Sequence, residues 1–252
     1  MLTVERQLKI AELVDKNGGI RTSELSSMFD VSEMTILRDL SFLEQQGILK
    51  RVYGGAIAAK NSTQELSSIL RQEIHSEEKD IIAKKALKLI SDGDSLFLDS
   101  STTALALARK LSGKMNLTVV SNGFDVLNEL KANPDIKLIA PGGELNKTTY
   151  TFIGPHTDNM LKEFFADKAF ISIAGISISA GLTVENQVQS HVKHIMLANA
   201  LQRVVLVDSS KFDLVKLSKV CKIDEVSTVV TDKKPPLQYL NYFKKHNIEL
   251  IF

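Results

Sequence analysis

Residues 95–108 read SLFLDSSTTALALA, and this stretch decides the fold because it joins an apolar strand, a hydroxyl-rich loop and a helix. The same alternation continues to the end of the chain. The predicted strands cover residues 95–98, 117–120, 136–140, 169–174, 203–207, 225–230 and 248–252, and the predicted helices cover 104–111, 124–130, 154–164, 186–200 and 236–246. Strands separated by helices indicate an α/β fold with a mostly parallel sheet that is covered on both faces.

The first sixty residues follow a different pattern, in which apolar side chains recur at helical spacing. Three short helices are predicted, with apolar stripes at Val4, Leu8, Ala11 and Val14, at Leu25, Met28 and Phe29, and at Ile36, Leu40 and Leu43. Ser32 is the expected N-cap of the third helix, which should end near Gly47. Residues 48–58 then read as a β-hairpin that turns at Gly54 and Gly55.

This change of pattern near residue 60 predicts two domains of unequal size, which a chain of 252 residues can accommodate. We place a mainly helical domain at residues 3–58, a linker at 59–74 and an α/β domain at 75–252. Residues 64–92 are expected to form a helix that bridges the two domains.

The composition is that of a globular protein, with 44% hydrophobic and 24% charged residues, and it excludes disorder. The chain carries 31 Lys and Arg against 30 Asp and Glu, and residues 1–58 carry seven against eight. A nonspecific architectural DNA-binding protein would need far more positive charge. Cys221 is the only cysteine, and neither a signal region nor an apolar run near 18 residues is present. We therefore expect a cytoplasmic protein with no membrane partner.

The second and third predicted helices and their tight connection suit a helix-turn-helix, whose second helix enters the major groove of DNA through its N-terminal residues. Cations on the hairpin can contact phosphates beside that helix. Periodicity alone leaves open a small helical bundle with a solvated polar face. The predicted DNA-contacting residues are Arg21, Ser32, Glu33, Thr35, Arg38, Lys50, Arg51, Tyr53, Gly54 and Gly55.

In the α/β domain, polar residues follow several of the predicted strands. Ligands of open parallel sheets bind beyond the carboxyl ends of the strands, so these loops are expected to line one crevice, where hydroxyls, backbone N–H groups and a lysine can hold a phosphate. For the loop at 99–103, plain N-capping of the next helix is the alternative. The predicted effector-binding residues are Asp99, Ser100, Ser101, Thr102, Thr103, Ser121, Asn122, Gly142, Gly143, Glu144 and Lys211.

Two groups of motifs resemble the DeoR-type bacterial transcription regulators. VSEMTILRDL at 31–40 and RVYGGA at 51–56 resemble the winged helix-turn-helix of that family, and residues 99–103, 141–145, 166–170 and 208–212 resemble its sensor domain. The resemblance implies a mostly parallel α/β sensor domain related to ribose-5-phosphate isomerase, a phosphorylated sugar as effector ligand, and repression that the effector relieves. A homodimer or homotetramer is expected, because two-fold symmetric readers match two half-sites of double-stranded operator DNA.

The chain departs from the family pattern at two positions. The family usually carries two consecutive arginines where this chain has Leu37 and Arg38, so one cation near the DNA is missing. It commonly has glycine where this chain has Ser101. If that position needs a left-handed backbone, serine costs about 1 to 2 kcal/mol and lowers or redirects phosphate affinity.

The rival interpretation is a sugar-phosphate isomerase-like enzyme, in which one of four carboxylates moves a proton beside a carbonyl group. The attached DNA reader argues against it, since a sensor gains from binding without turnover. No metal or cofactor is expected, because no cysteine or histidine set completes a site around His191 and His194. Cys221 is expected to be a buried bystander rather than a reactive thiol. The four carboxylates are those of Asp99, Glu144, Glu185 and Asp208.

Overall fold

The computed structural model describes residues 3–45, 48–58 and 68–252. The chain divides into two compact units, Met1–Ile74 and His75–Phe252. Of the predicted linker at 59–74, residues 59–67 lie outside the described residues. The predicted helix end near Gly47 also lies outside them.

The first unit is a winged helix-turn-helix with a three-stranded antiparallel sheet in the order β1-β3-β2. The hairpin and the three helices were predicted, but the short strand β1 was not. The elements are α1 Thr3–Asn17, β1 Gly19–Arg21, α2 Thr22–Phe29, α3 Glu33–Gln45, β2 Leu49–Val52 and β3 Gly55–Ala58. Ser32 precedes α3 and accepts a hydrogen bond at Oγ from the backbone N–H of Thr35 at 3.3 Å, as expected of an N-cap.

A buried ion pair holds α3 against α1 inside this unit. The Asp39 carboxylate accepts from Arg6 Nε at 2.6 Å and from Gln7 Nε2 at 2.9 Å, and all three residues are buried. Apolar side chains of the three helices form the core of this unit. Ile10, Val14, Leu25, Ile36, Leu40 and Leu43 are among the buried core residues. The polar network therefore fixes how the exposed face of α3 is presented.

The second unit is built on a seven-stranded, entirely parallel sheet in the order β15-β14-β12-β9-β4-β5-β6, which confirms the predicted α/β class. Its strands are β4 Ser95–Leu98, β5 Leu117–Ser121, β6 Ile136–Ile139, β9 Ala166–Ser172, β12 Ala200–Leu206, β14 Thr228–Val230 and β15 Glu249–Ile251. Its helices are α5 Ser76–Leu87, α6 Thr102–Ala108, α7 Phe124–Leu130, α8 Pro155–Lys162, α9 Gln187–Ala198 and α10 Leu237–Lys245.

Alternating side chains of these strands build one core on each face of the sheet. On β4, Phe97 belongs to the core that also contains residues of α8, α9 and α10. Its neighbours Leu96 and Leu98 belong to the opposite core, which contains residues of α5, α6 and α7. Burial on both faces explains why the strands read as continuous apolar runs.

Two small antiparallel sheets were not predicted. One has two strands, β7 Glu144–Asn146 and β8 Thr151–Ile153, and the other has the order β10-β11-β13. The latter contains β10 Gly175–Ser177, β11 Gly181–Val184 and β13 Ser218–Cys221. Strands of three or four residues are too short to show an alternating pattern in the sequence.

The predicted helix over 64–92 is wrong as a single element. A separate helix, α4, covers Ser68–Glu73, and α5 begins at Ser76. His75 has a φ of 54°, in the left-handed region, so the helical hydrogen bonding cannot run through it. Among the described residues, no helix is long and apolar enough to cross a membrane.

Replacing Asp39 by alanine should destabilise the first unit by about 3 to 5 kcal/mol, because it leaves the buried Arg6 guanidinium without its carboxylate. Native-state hydrogen exchange of α3 amides measures this loss. The control is Glu44→Ala, since the Glu44–Arg51 pair is half-exposed and contributes less than about 1 kcal/mol. Equal effects of the two variants would contradict the importance of the buried pair.

Candidate functional site

The face of α3 that points away from the core is the candidate DNA-reading surface. Ser32, Glu33 and Arg38 are exposed, and Thr35 is partly exposed. Ser32 Oγ and Thr35 Oγ1 lie 3.0 Å apart in a hydrogen bond, which orders the start of the helix. The guanidinium of Arg38 has no acidic partner among the described residues.

The hairpin β2–β3 forms a wing whose predicted residues fall into two groups. Lys50, Tyr53 and Gly54 are exposed, as is Arg21 at the start of α2. Arg51 is already engaged with α3: its backbone N–H donates to Glu44 Oε1 at 2.8 Å, and its side chain pairs with Glu44 and hydrogen-bonds Ser41. The structure therefore uses Arg51 to fasten the wing to α3.

The prediction that Gly55 contacts DNA is corrected by its burial. A Cβ atom at this position would lie 2.3 Å from the carbonyl oxygen of Ile20 and 3.0 Å from Cα of Arg21. Gly55 therefore lets β3 approach β1 closely and is not available to DNA.

Sequence reasoning missed two groups in this unit. The buried network of Asp39 with Arg6 and Gln7 was one, and the exposed apolar side chains Met34 and Leu37 on α3 were the other. The sequence did contain a signal for the buried network, because the carboxylate of Asp39 lies within the apolar stripe of α3.

In the second unit, the strand order changes direction between β4 and β9. From β4 the chain continues to β5 and β6 on one side, whereas β9 pairs with β4 on the other side. Such a switch point is where open parallel sheets form a ligand crevice. The loop after β4 contains Asp99 to Thr103, and the loop after β9 begins beyond Ser172.

Asp99 follows β4 directly, and both of its carboxylate oxygens are occupied by hydrogen bonds inside the unit, so the prediction that it contacts the effector directly is corrected. Its Oδ2 atom accepts from the backbone N–H of Ser172 at 2.9 Å and from the buried ammonium of Lys193 on α9. Its Oδ1 atom accepts from the backbone N–H of Ser101 at 3.0 Å and from the Ser101 hydroxyl. Lys193 was not predicted, although it too lies within an apolar helical stripe.

The predicted strain at Ser101 does not occur. Its φ of −77° and ψ of 152° are extended, and its Oγ atom accepts from the N–H of Ala104 at 3.1 Å as the N-cap of α6. The capping alternative therefore holds for this residue. Thr102 and Thr103 are buried, whereas Ser100 and Ser101 are partly exposed.

The loop after β5 lies directly against the loop after β4. A Cβ atom on Gly123 would be 2.8 Å from Cα of Ser100, so glycine is required for this approach. Ser121 is fully buried and accepts from the N–H of Gly123 at 3.1 Å, which corrects its assignment as an effector contact. Thus the structure brings these two predicted loops together.

Asn122 in this loop carries a buried acceptor with no partner. The residue is 2% exposed, and its Oδ1 atom has no hydrogen-bond partner within the described part of the chain. Its Nδ2 atom faces the carbonyl oxygen of Phe152 at 3.4 Å, which fixes the orientation of the amide. Since buried acceptors are normally satisfied, Oδ1 is suited to a ligand hydroxyl.

The hairpin β7–β8 covers the β5 loop, because the N–H of Phe152 donates to the carbonyl oxygen of Asn122 at 2.8 Å. Gly142 and Gly143 contact α8 instead: Thr157 Oγ1 donates to the Gly142 carbonyl oxygen at 2.7 Å. Glu144 is exposed at the start of β7. The structure shows no hydrogen bond from these three residues to the β4 loop within its described part.

Lys211 lies in a short turn after β12, two strands from β4 and therefore roughly 10 Å across the sheet. Asp208 caps this turn by accepting from the N–H of Ser210 at 3.0 Å. Tyr239 Oη accepts from the N–H of Asp213 at 3.1 Å and anchors the chain just beyond it. Among the described residues, the Lys211 ammonium has no ionic or hydrogen-bonding partner.

Three of the four carboxylates of the isomerase alternative are each engaged separately. Asp99 is paired with Lys193, Asp208 caps a turn, and Glu185 Oε1 lies 3.3 Å from Lys216 Nζ. The two histidines of α9 also diverge. His191 Nε2 lies 3.6 Å from Asp158, and His194 Nδ1 lies 3.3 Å from the Val220 carbonyl oxygen. Within the described ranges, no cluster of three ligating side chains could hold a metal ion.

Comparison with known proteins agrees with this geometry. A DeoR-like helix-turn-helix domain model matches residues 6–62, and a DeoR C-terminal sensor domain model matches residues 74–233. The chain belongs to the DeoR family. It is 36% identical to the HTH-type transcriptional regulator GolR of Listeria innocua over 93% of this chain and 92% of that protein.

Other DeoR-family relatives are similar over almost their full length. The glycerol-3-phosphate regulon repressor of Escherichia coli K12 is 33% identical over 99% of both chains. The lactose phosphotransferase system repressor of Staphylococcus epidermidis is 34% identical over 90% of this chain and 91% of that protein. The regulator interpretation is therefore confirmed, and the enzyme alternative is rejected because the family consists of transcriptional regulators.

Likenesses to solved structures are distant. Ribose 5-phosphate isomerase A from Methanocaldococcus jannaschii shares 23% identity over 54% of each chain, with a TM-score of 0.41. The translation initiation factor eIF-2B of Pyrococcus horikoshii shares 16% identity over 91% of this chain and 86% of that chain, with a TM-score of 0.45.

Cys221 should be unreactive in the folded protein. Burial, together with the nearby negative charge of Glu225, raises the pKa of its thiol from 9.0 to about 12. At pH 8 a chromogenic disulfide reagent should label the unfolded chain rapidly and the folded chain only through unfolding. Because the thiol holds its proton more tightly in the folded state, it adds to the free energy of unfolding. This contribution is complete below pH 9 and is lost as the pH rises through 12. Rapid labelling of the folded protein would contradict this assignment.

Proposed function

We propose that this DeoR-family protein represses genes of sugar transport or catabolism and is released from its operator by a phosphorylated sugar. The relatives named as a lactose phosphotransferase system repressor and a glycerol-3-phosphate regulon repressor support this class of target genes. The observation that carries the sensor half is the buried Oδ1 atom of Asn122, which has no hydrogen-bond partner among the described residues and belongs to the loop that approaches Ser100.

Asn122 and Lys211 offer complementary chemistry to such an effector. Asn122 Oδ1 can accept a hydrogen bond from a sugar hydroxyl, which removes an unsatisfied buried acceptor. The unpaired Lys211 ammonium can bind the phosphate as a compact cation. Ser100 and the backbone of Gly142 and Gly143 complete the proposed contact set, while Asp99, Ser101 and Lys193 position the loop.

Binding to operator DNA is assigned to α3 and the wing of the first unit. Ser32, Glu33, Thr35 and Arg38 lie on the exposed side of α3, and Arg21, Lys50, Tyr53 and Gly54 flank it. Because the unit carries almost no net charge, we propose few phosphate contacts and a shallow salt dependence.

A homodimer or homotetramer would place two such units on the two half-sites of an operator. An operator-binding protein of this family would act in the cytoplasm. The effector must bind the DNA-free state more tightly than the DNA-bound state, since only that difference can release the protein.

Arg38→Ala should weaken DNA binding and reduce the slope of log affinity against log salt by about one, because one phosphate contact is removed. The measurement uses the full chain and a duplex selected from a random pool, titrated at several salt concentrations. Arg109→Ala, at an exposed arginine of the second unit, should leave the slope unchanged. Binding that does not depend on salt in the wild-type protein would contradict the phosphate contacts.

Lys211→Ala should abolish release by the effector without altering DNA binding in its absence. A panel of phosphorylated sugars is added to the protein–duplex complex, and the concentration for half release is recorded. Lys233→Ala removes an exposed lysine of the same unit and should respond like the wild-type protein. Release of the Lys211→Ala variant at the wild-type concentration would refute the phosphate-binding role.

A further inference from the structure

Two apolar side chains stand exposed on the DNA-facing side of α3. Met34 is 60% exposed and Leu37 is 39% exposed. Their spacing of three residues places them on one face of the helix, together with Arg38 and Ser41. This face continues directly from the N-terminal residues of α3 that face the major groove in a helix-turn-helix.

These side chains lie in a shallow groove between α3 and the wing, whose lining also includes Arg38, Ser41 and Arg51. The polar groups of the wing side are already occupied. Arg51 pairs with Glu44 and donates to Ser41, and the Ser41 hydroxyl donates to the Leu37 carbonyl oxygen at 2.7 Å. The groove therefore presents apolar surface at Met34 and Leu37, next to the guanidinium of Arg38.

We propose that Leu37, with Met34 beside it, reads a thymine in each operator half-site through the 5-methyl group of that base. Among the bases, thymine alone presents a methyl group in the major groove, and apolar side chains are its ordinary partners. Arg38, whose cation is unpaired, lies one position further along and binds the adjacent phosphate. This inference rests on the proposed function, because it specifies how the same surface selects its operator.

The test begins with selection of duplexes from a random pool by the full-length protein. Each thymine of the resulting consensus is then replaced by deoxyuridine, which removes only the methyl group. One replacement in one half-site should weaken wild-type binding about fourfold, the effect of burying one such group. Leu37→Ala should bind the thymine and uracil duplexes equally well. Ile81→Ala, at a 41% exposed side chain of α5, should keep the wild-type preference.

A second selection uses Leu37→Arg, an exposed substitution that the fold accommodates. It should change the preferred base pair at that position to G·C, because arginine pairs with the O6 and N7 atoms of guanine. If uracil can replace every thymine of the consensus without loss of wild-type affinity, this inference alone is overturned. The same holds if Leu37→Ala still binds the thymine duplex more tightly than the uracil duplex. Failure of the wild-type protein to select any sequence would overturn the proposed operator binding as well.

Discussion

The buried carboxylate of Asp99 is the constraint on which the sensor unit depends. It accepts hydrogen bonds from the strand β9, the N-terminal loop of α6 and the ammonium of Lys193 on α9. A buried charge of this kind is tolerated only when its partners are all in place, so the three elements are fixed relative to one another. The crevice at the switch point of the sheet is the surface that remains between them.

The DNA-reading unit uses the same device at Asp39. There the carboxylate joins α3 to α1 through Arg6 and Gln7, so that the exposed face of α3 is rigidly presented. In each unit a buried acidic side chain stabilises the packing, and a cation has no acidic partner among the described residues: Arg38 in the first unit and Lys211 in the second. The net charge therefore does not indicate which ligands this protein binds, whereas the positions of single cations do.

Segments with a continuous apolar run or a helical period were predictable from the sequence, whereas strands without such a pattern and contacts between distant residues were not. The apolar run of β4 and the helical pattern of α7 agree with prediction to the residue, at Ser95–Leu98 and Phe124–Leu130. The strand β1 has only three residues, which is too few to show a period. Lys193 could be recognised as unusual within its apolar stripe, but its partner lies 94 positions away, and local patterns carry no information on such pairing. The left-handed backbone considered for Ser101 does not occur for a related reason. The residue is extended, and its N–H donates to Asp99.

In the proposed mechanism, DNA and a phosphorylated sugar compete through two states of one protein. The direct test is a complete thermodynamic cycle on the full chain, using the selected duplex and the sugar phosphate that releases it at the lowest concentration. Linkage requires that the sugar phosphate lower the affinity for DNA by the same factor by which DNA lowers the affinity for the sugar phosphate. We predict equal factors well above one. A sugar phosphate that binds equally tightly with and without the duplex would contradict the account.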